Sequence, residues 1–185
     1  MKRSTKAIGI SGAIGFILIS SIAYLNFRLH SMLKFKDPAK EISINYPGSW
    51  TKMPAYGGTV VVFASPLEGA LDYFQENVSV IIQDISRTPQ TLQEYSTEAI
   101  SQMKMVFKDN FVLDESTNVA TLGGIPAYKI IFTGKGPDSE YRYYVTWAVV
   151  NKVKVYQVTY TAFSSQFDKY FPTAQKMVES FKVLK

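Results

Sequence analysis

Three acids, Glu68, Asp72 and Glu76, recur every four residues in the stretch SPLEGALDYFQEN, residues 65–77, between two apolar runs. If that stretch coiled into helical turns, this spacing would set the three carboxylates on one face. Carboxylate oxygens are hard ligands suited to calcium or manganese. Glu68, Asp72 and Glu76 are therefore the candidate metal ligands. EF-hand spacing is absent, and the competing reading is a loop of solvated charges. The stretch runs into Asn77-Val78-Ser79, which has the form of a glycosylation sequon, although Asn77 opens an expected strand.

Other chemistry is poorly supplied. Cysteine is absent and the single histidine is His30. Disulfides, thiolate metal sites and histidine-based nucleophile activation are thereby excluded from the domain. No G-x-S-x-G elbow is present. Asp114-Glu115 and the pair Asp138 and Glu140 fall in polar turns, and neither pair meets the requirements of an acid–base site. Gly134-Lys135-Gly136 is followed by strand-forming residues, not by the helix of a phosphate loop. The expected activity is non-enzymatic, with no cofactor beyond calcium or manganese at the acidic stretch. Tyr56, Tyr73, Phe74, Tyr141 and Tyr143 border turns or strand ends, where aromatic side chains can anchor an interface.

Charge argues against nucleic acid. The formal net charge is +5, with 20 basic and 15 acidic residues. Residues 1–34 hold five of the basic residues (Lys2, Arg3, Lys6, Arg28 and Lys34) and no acids, so the remainder is balanced. The basic stripe that phosphate contacts require is missing.

The N-terminal excess has its own meaning. Ala7 to Leu25 carries no charge and follows Lys2, Arg3 and Lys6. That is the layout of a signal anchor or signal peptide. Nineteen helical residues would rise about 28 Å, close to one hydrocarbon thickness. Ser21-Ile22-Ala23 also fits a small-x-small cleavage site, and removal after Ala23 would give a secreted protein. Continuation of the apolar run through Leu25 favours an anchor. The expected layout is 1–26 signal anchor or signal peptide, 27–40 juxtamembrane linker, and 41–185 globular domain. The domain is expected on the extracytoplasmic side, whether cell surface, periplasm or lumen.

The elements follow from periodicity. Residues 42–46, 59–64 and 77–85 read as strands. Residues 92–107 carry apolar groups at helical spacing (Leu92, Tyr95, Ala99, Ile100, Met103, Val106 and Phe107), with a capping box in Thr91 and Glu94. Short strands are expected at 111–113 and 119–122, flanking a polar stretch. Gly123-Gly124 and Asn151-Lys152 mark hairpins, with strands at 127–133, 141–150 and 153–161. The pair 141–150 and 153–161 is apolar on both faces and therefore needs cover on both. A second helix is expected from Phe167 to Phe181. The fold class is α+β: an α/β/α sandwich whose central, mainly antiparallel sheet is covered by helices on both faces, preceded by an N-terminal hydrophobic helix.

Four stretches in order, ISINYPGSW, FASP with ENVSVII, GGIPAYKIIF, and VYQVTYTAFSSQFDKYFPTAQKMVESFKV, resemble the PsbP-like family, named for the extrinsic PsbP protein of photosystem II. The resemblance covers Ile42 to Val183. It implies the same α/β/α sandwich, shared with Ran-binding nuclear import factors, and an extracytoplasmic or lumenal location, often as a lipoprotein. It further implies a non-enzymatic role in binding or assembling a membrane protein complex. Photosynthetic members help to retain calcium and chloride at the oxygen-evolving cluster or assist photosystem assembly. This chain lacks a lipobox cysteine, and its apolar segment takes the place of the lipid. It also has no domain histidine to carry over a histidine-containing metal site. The alternative reading is a domain binding calcium, manganese or a small ligand.

Overall fold

The computed structural model describes residues 31–136 and 138–184. The apolar segment Ala7–Leu25, and with it the expected N-terminal helix, lies outside the described residues. The elements are β1 (Met32–Asp37), β2 (Ile42–Pro47), β3 (Thr51–Met53), β4 (Thr59–Ala64), β5 (Asn77–Asp84), α1 (Leu92–Phe107), β6 (Phe111–Leu122), β7 (Ile125–Lys135), β8 (Glu140–Val150), β9 (Lys154–Phe163), α2 (Phe167–Ser180) and β10 (Lys182–Val183). Strands β3-β4-β5-β9-β8-β7-β6 form one antiparallel sheet, and β1-β2-β10 a second, smaller one.

The class is α+β, as expected, with one helix on each face of the large sheet. Strands β7, β8 and β9 alternate apolar side chains to both sides. Ile130, Phe132, Val145, Trp147 and Val155 pack under α1. Ile131, Tyr144, Ala148, Tyr156, Val158, Tyr160 and Ala162 face the other way, against α2 and the small sheet. That second cover is mixed: besides Ala174, Met177 and Val178 of α2, it includes Ile42 and Ile44 of β2. The small sheet was not expected. Residues 32–37, read as linker, pair along their whole length with β2 from Met32↔Pro47 to Asp37↔Ile42. Strand β10 closes the other edge of β2. Ile42, Ser43 and Ile44 are consequently all buried, where a half-exposed strand was expected.

Helix α1 runs over the expected residues. Its capping box is present: the Thr91 N–H donates to Glu94 Oε2 at 2.8 Å, and the Glu94 N–H donates to Thr91 Oγ1 at 3.2 Å. The helix satisfies the largest buried polar group of the sheet. The Trp147 indole Nε1–H donates to Ser96 Oγ at 2.8 Å, and Ser96 Oγ donates on to the Leu92 carbonyl at 2.6 Å. Val106, expected on the packed stripe, faces solvent.

The two hairpins are as read. Gly123 and Gly124 adopt φ of 62° and 80°, and Asn151 and Lys152 adopt 54° and 63°, the left-handed values that tight hairpin turns demand. The expected strands 111–113 and 119–122 are one continuous edge strand, β6. Its surplus residues are absorbed as register shifts between Leu113 and Glu115 and between Thr117 and Ala120. The polar stretch is compatible with a strand because this edge lies mostly in solvent, where Glu115 reaches Lys129 at 2.6 Å and Asp114 reaches Arg142 at 3.0 Å.

Gly134 of β7 lies directly beneath the last turn of α1. A Cβ there would stand 2.5 Å from the Phe107 ring. Gly134→Ala should therefore destabilise the domain by about 1–3 kcal/mol through overpacking. Gly136→Ala, where the added carbon meets only ordinary contact, should be near neutral. Urea unfolding of both variants checks this.

Candidate functional site

The acidic stretch forms a closed loop, residues 65–76, joining β4 to β5. Its base is a backbone bond: the Ser65 N–H donates to the Glu76 carbonyl at 2.8 Å. The Gln75 side-chain amide donates to the Ser65 carbonyl. Inside, Asp72 organises the chain. Its Oδ2 accepts from the Glu68 N–H at 2.9 Å and its Oδ1 from the Phe74 N–H at 3.2 Å, the turn-forming use of a short acid. Phe74 fastens the loop to the sheet, with its ring 4.8 Å from Phe163 and 5.0 Å from Tyr141.

The three acids do not share a helical face, because the stretch is not helical. Glu68 forms an ion pair with Lys169 and accepts from the Tyr170 hydroxyl at 3.0 Å. Both partners come from the first turn of α2. These two hydrogen bonds hold the Glu68 carboxyl below its ordinary range, with the Lys169 bond the larger cause. The same bond raises Lys169. Tyr170 is raised first by burial and then by its bond to Glu68. Asp72 is engaged with the loop backbone. Glu76 is only 2 % exposed and accepts from Ser65 Oγ at 3.3 Å. Burial, and after it the neighbouring Glu76 carboxyl, pushes the Tyr160 hydroxyl far up, and that hydroxyl donates to the Phe167 carbonyl at 3.0 Å.

Among the described residues, no three of the His, Asp and Glu side chains gather as a metal ion would need. The expected trio Glu68, Asp72 and Glu76 is therefore spread over three separate sets of partners. A shallow cleft of about 440 Å³ does lie beside them, bordered by Leu71, Tyr73, Phe163 and Gln166 as well as the acids. The sequon residue Asn77 is paired on both sides, with Ala64 and Thr161, and its side-chain amide donates to the Gln75 carbonyl at 3.1 Å.

The arrangement ties the loop to α2 and the sheet and presents its outer side chains. Leu67, Leu71 and Tyr73 are exposed on that loop. Of the aromatic residues singled out from sequence, Tyr56 and Tyr73 are exposed, Tyr73 with one ring edge against Phe163 at 5.5 Å, whereas Phe74, Tyr141 and Tyr143 are packed among neighbouring rings. Sequence reasoning missed Lys169 and Tyr170, which lie about a hundred positions from Glu68. It also missed Leu67 and Leu71, whose signal was available: two leucines in a loop between a proline and an aspartate. Elsewhere Arg142 sits between Asp114 at 3.0 Å and Asp168 at 3.8 Å, its guanidinium 4.6 Å over the Phe167 ring. It ties β8 to β6 and to the start of α2.

The family profile described as PsbP matches residues 30–183. No curated protein matches the chain. Among solved structures, the cyanobacterial PsbP (CyanoP) of Synechocystis is similar at 16% identity and a TM-score of 0.58, with 98% of each chain covered. LpqN of Mycobacterium tuberculosis, described as involved in cell envelope biogenesis, is similar at 15% identity and a TM-score of 0.58, over 86% of this chain and 95% of that one. The Saccharomyces cerevisiae Ran-binding protein Mog1p is similar at 10% identity and a TM-score of 0.55, over 84% and 97%. At such identities these likenesses carry the fold alone.

Because Glu68 is held below its ordinary value, its bond to α2 stabilises the folded loop above the unfolded glutamate pKa. That stabilisation is lost as pH falls through the lower, folded value. Protection factors for the amides of residues 67–75, each taken relative to the intrinsic exchange rate at that pH, should therefore hold down to pH 4.5, the ordinary glutamate value, and fall below it. Glu68→Gln should remove the pH step while leaving protection in β7 to β9 unchanged.

Proposed function

The chain belongs to the PsbP family, and from that premise we propose that it is a non-catalytic binding module. Residues 7–25 tether it to a membrane, and the domain on the extracytoplasmic side docks on, or helps assemble, a membrane protein complex. The tether is supported by the uncharged run Ala7–Leu25 behind Lys2, Arg3 and Lys6. Among the described residues no helix is long and apolar enough to cross a membrane, so the tether rests on this segment.

The observation that carries the binding role is the margin where α1 gives way to β6. Met105, Val106, Val112 and Leu113 are all exposed there. Strand β6 is the last of the large sheet, so its outer edge has no neighbouring strand among the described residues. Exposed apolar side chains beside an open strand edge suit a protein partner that adds backbone pairing to side-chain contact. The register shifts in β6 interrupt that edge, which limits self-association.

Photocrosslinking from position 105 or 112 in native membranes should recover one recurrent integral-membrane protein. Met105→Glu combined with Val112→Glu should abolish recovery while changing stability by no more than about 0.5 kcal/mol per site, as surface changes do. Recovery of no recurrent protein, or recovery unaffected by the double change, would contradict the proposal.

A further inference from the structure

The exposed loop and the start of the domain lie at the same end of the molecule. The register sets Met32 opposite Pro47, and the Gly48 N–H donates to the Ser31 carbonyl at 2.8 Å. The neighbouring Tyr46 ring stacks on Phe63 at 4.5 Å, two residues before the loop begins. Trp50, just after that turn, meets the Tyr170 ring edge-on at 5.7 Å, and Tyr170 holds Glu68 of the loop. Only six residues, Asn26 to Ser31, separate Met32 from the apolar run ending at Leu25. Fully extended, they reach about 20 Å.

Leu67, Leu71 and Tyr73 are 60%, 92% and 82% exposed. The acids between and beside them are engaged elsewhere: Glu68 with α2, Asp72 with the loop backbone and Glu76 in the interior. The outermost groups are therefore apolar or amphipathic. Leucine with tyrosine is the composition that settles at the boundary between headgroups and acyl chains.

We propose that loop 66–74 is a second membrane contact, inserting Leu67, Leu71 and Tyr73 into the interfacial layer of the bilayer that holds residues 7–25. This rests on the reading of 7–25 as an anchor. The short connection brings this end of the domain to the bilayer, and the loop then fixes its orientation, with the C-terminal ends of β2, β4 and β9 toward the surface. Lipid is favoured over a protein partner because the tie alone delivers these side chains to the surface. Contact made by apolar groups is insensitive to salt, unlike attachment by surface charge.

The chain has no cysteine, so single probes are readily placed. The full chain carrying Leu71→Cys, labelled with a nitrobenzoxadiazole fluorophore, is reconstituted into phosphatidylcholine and phosphatidylglycerol vesicles with and without doxyl-labelled lipid. Ala39→Cys, in the turn at the far end of β1, is the control. Flotation reports the anchor independently. The expected result is co-flotation, with a blue shift and loss of fluorescence to the lipid-borne quencher at position 71, none at position 39, and no change in high salt. Flotation with position 71 as aqueous as position 39 overturns the loop contact and leaves the anchor standing. Failure to float overturns both. A probe aqueous in pure lipid but shielded in native membranes assigns the loop to a protein partner and likewise overturns the lipid contact.

Discussion

The structure depends on a sheet that cannot be left bare on either face. Strands β7, β8 and β9 send Ile130, Val145, Trp147 and Val155 one way, and Tyr144, Ala148, Tyr156, Val158 and Tyr160 the other. Each fully buried aliphatic or aromatic side chain contributes about 1.5–3 kcal/mol by removal from water, so neither face is stable in solvent. Helix α1 covers the first face and also receives the Trp147 N–H through Ser96. The second face is wider than one helix, and α2 shares it with the small sheet β1-β2-β10. That division of labour explains why Met32–Asp37 is part of the fold.

The same arrangement builds the candidate site. Helix α2 must cross the Tyr160 face, and its first turn consequently arrives beside the β4–β5 loop. Lys169 and Tyr170 take Glu68 there, Phe167 packs against Tyr160 at 5.1 Å between ring centres, and Phe163 receives Phe74. A twelve-residue connection is thereby fixed at its base, its middle and its flank. Its attachment is a by-product of covering the sheet. Its exposed leucines are not explained by packing, and on the proposed arrangement they meet, with Tyr73, the bilayer that holds the N-terminal segment.

How much of this was legible in the sequence depended on range. Helix α1 with its Thr91–Glu94 box, and the Gly123-Gly124 and Asn151-Lys152 turns, are local features and were readable. Strand β1 carried a period of two, with Leu33 and Phe35 alternating with Lys34 and Lys36, yet its charges resembled a linker. Strand β10 is two residues long and has no sequence signature; it exists because β2 has an open edge. In the candidate site the four-residue spacing of Glu68, Asp72 and Glu76 does not become a shared helical face, since the stretch is a loop in which Asp72 bonds the Glu68 and Phe74 N–H groups. What decides the role of Glu68 is a lysine and a tyrosine brought from the far end of the chain, which no local pattern reveals.

The central claim is that the end of the domain bearing Ser31 and loop 65–76 is the end that works against the membrane. Neutron reflectometry on the full chain in a supported bilayer, with contrast-varied water, measures this directly. The account predicts protein density that begins within the headgroup layer, with no resolvable water gap between bilayer and domain. A hydrated gap separating the two, with the domain held only by a thin tether, would contradict it.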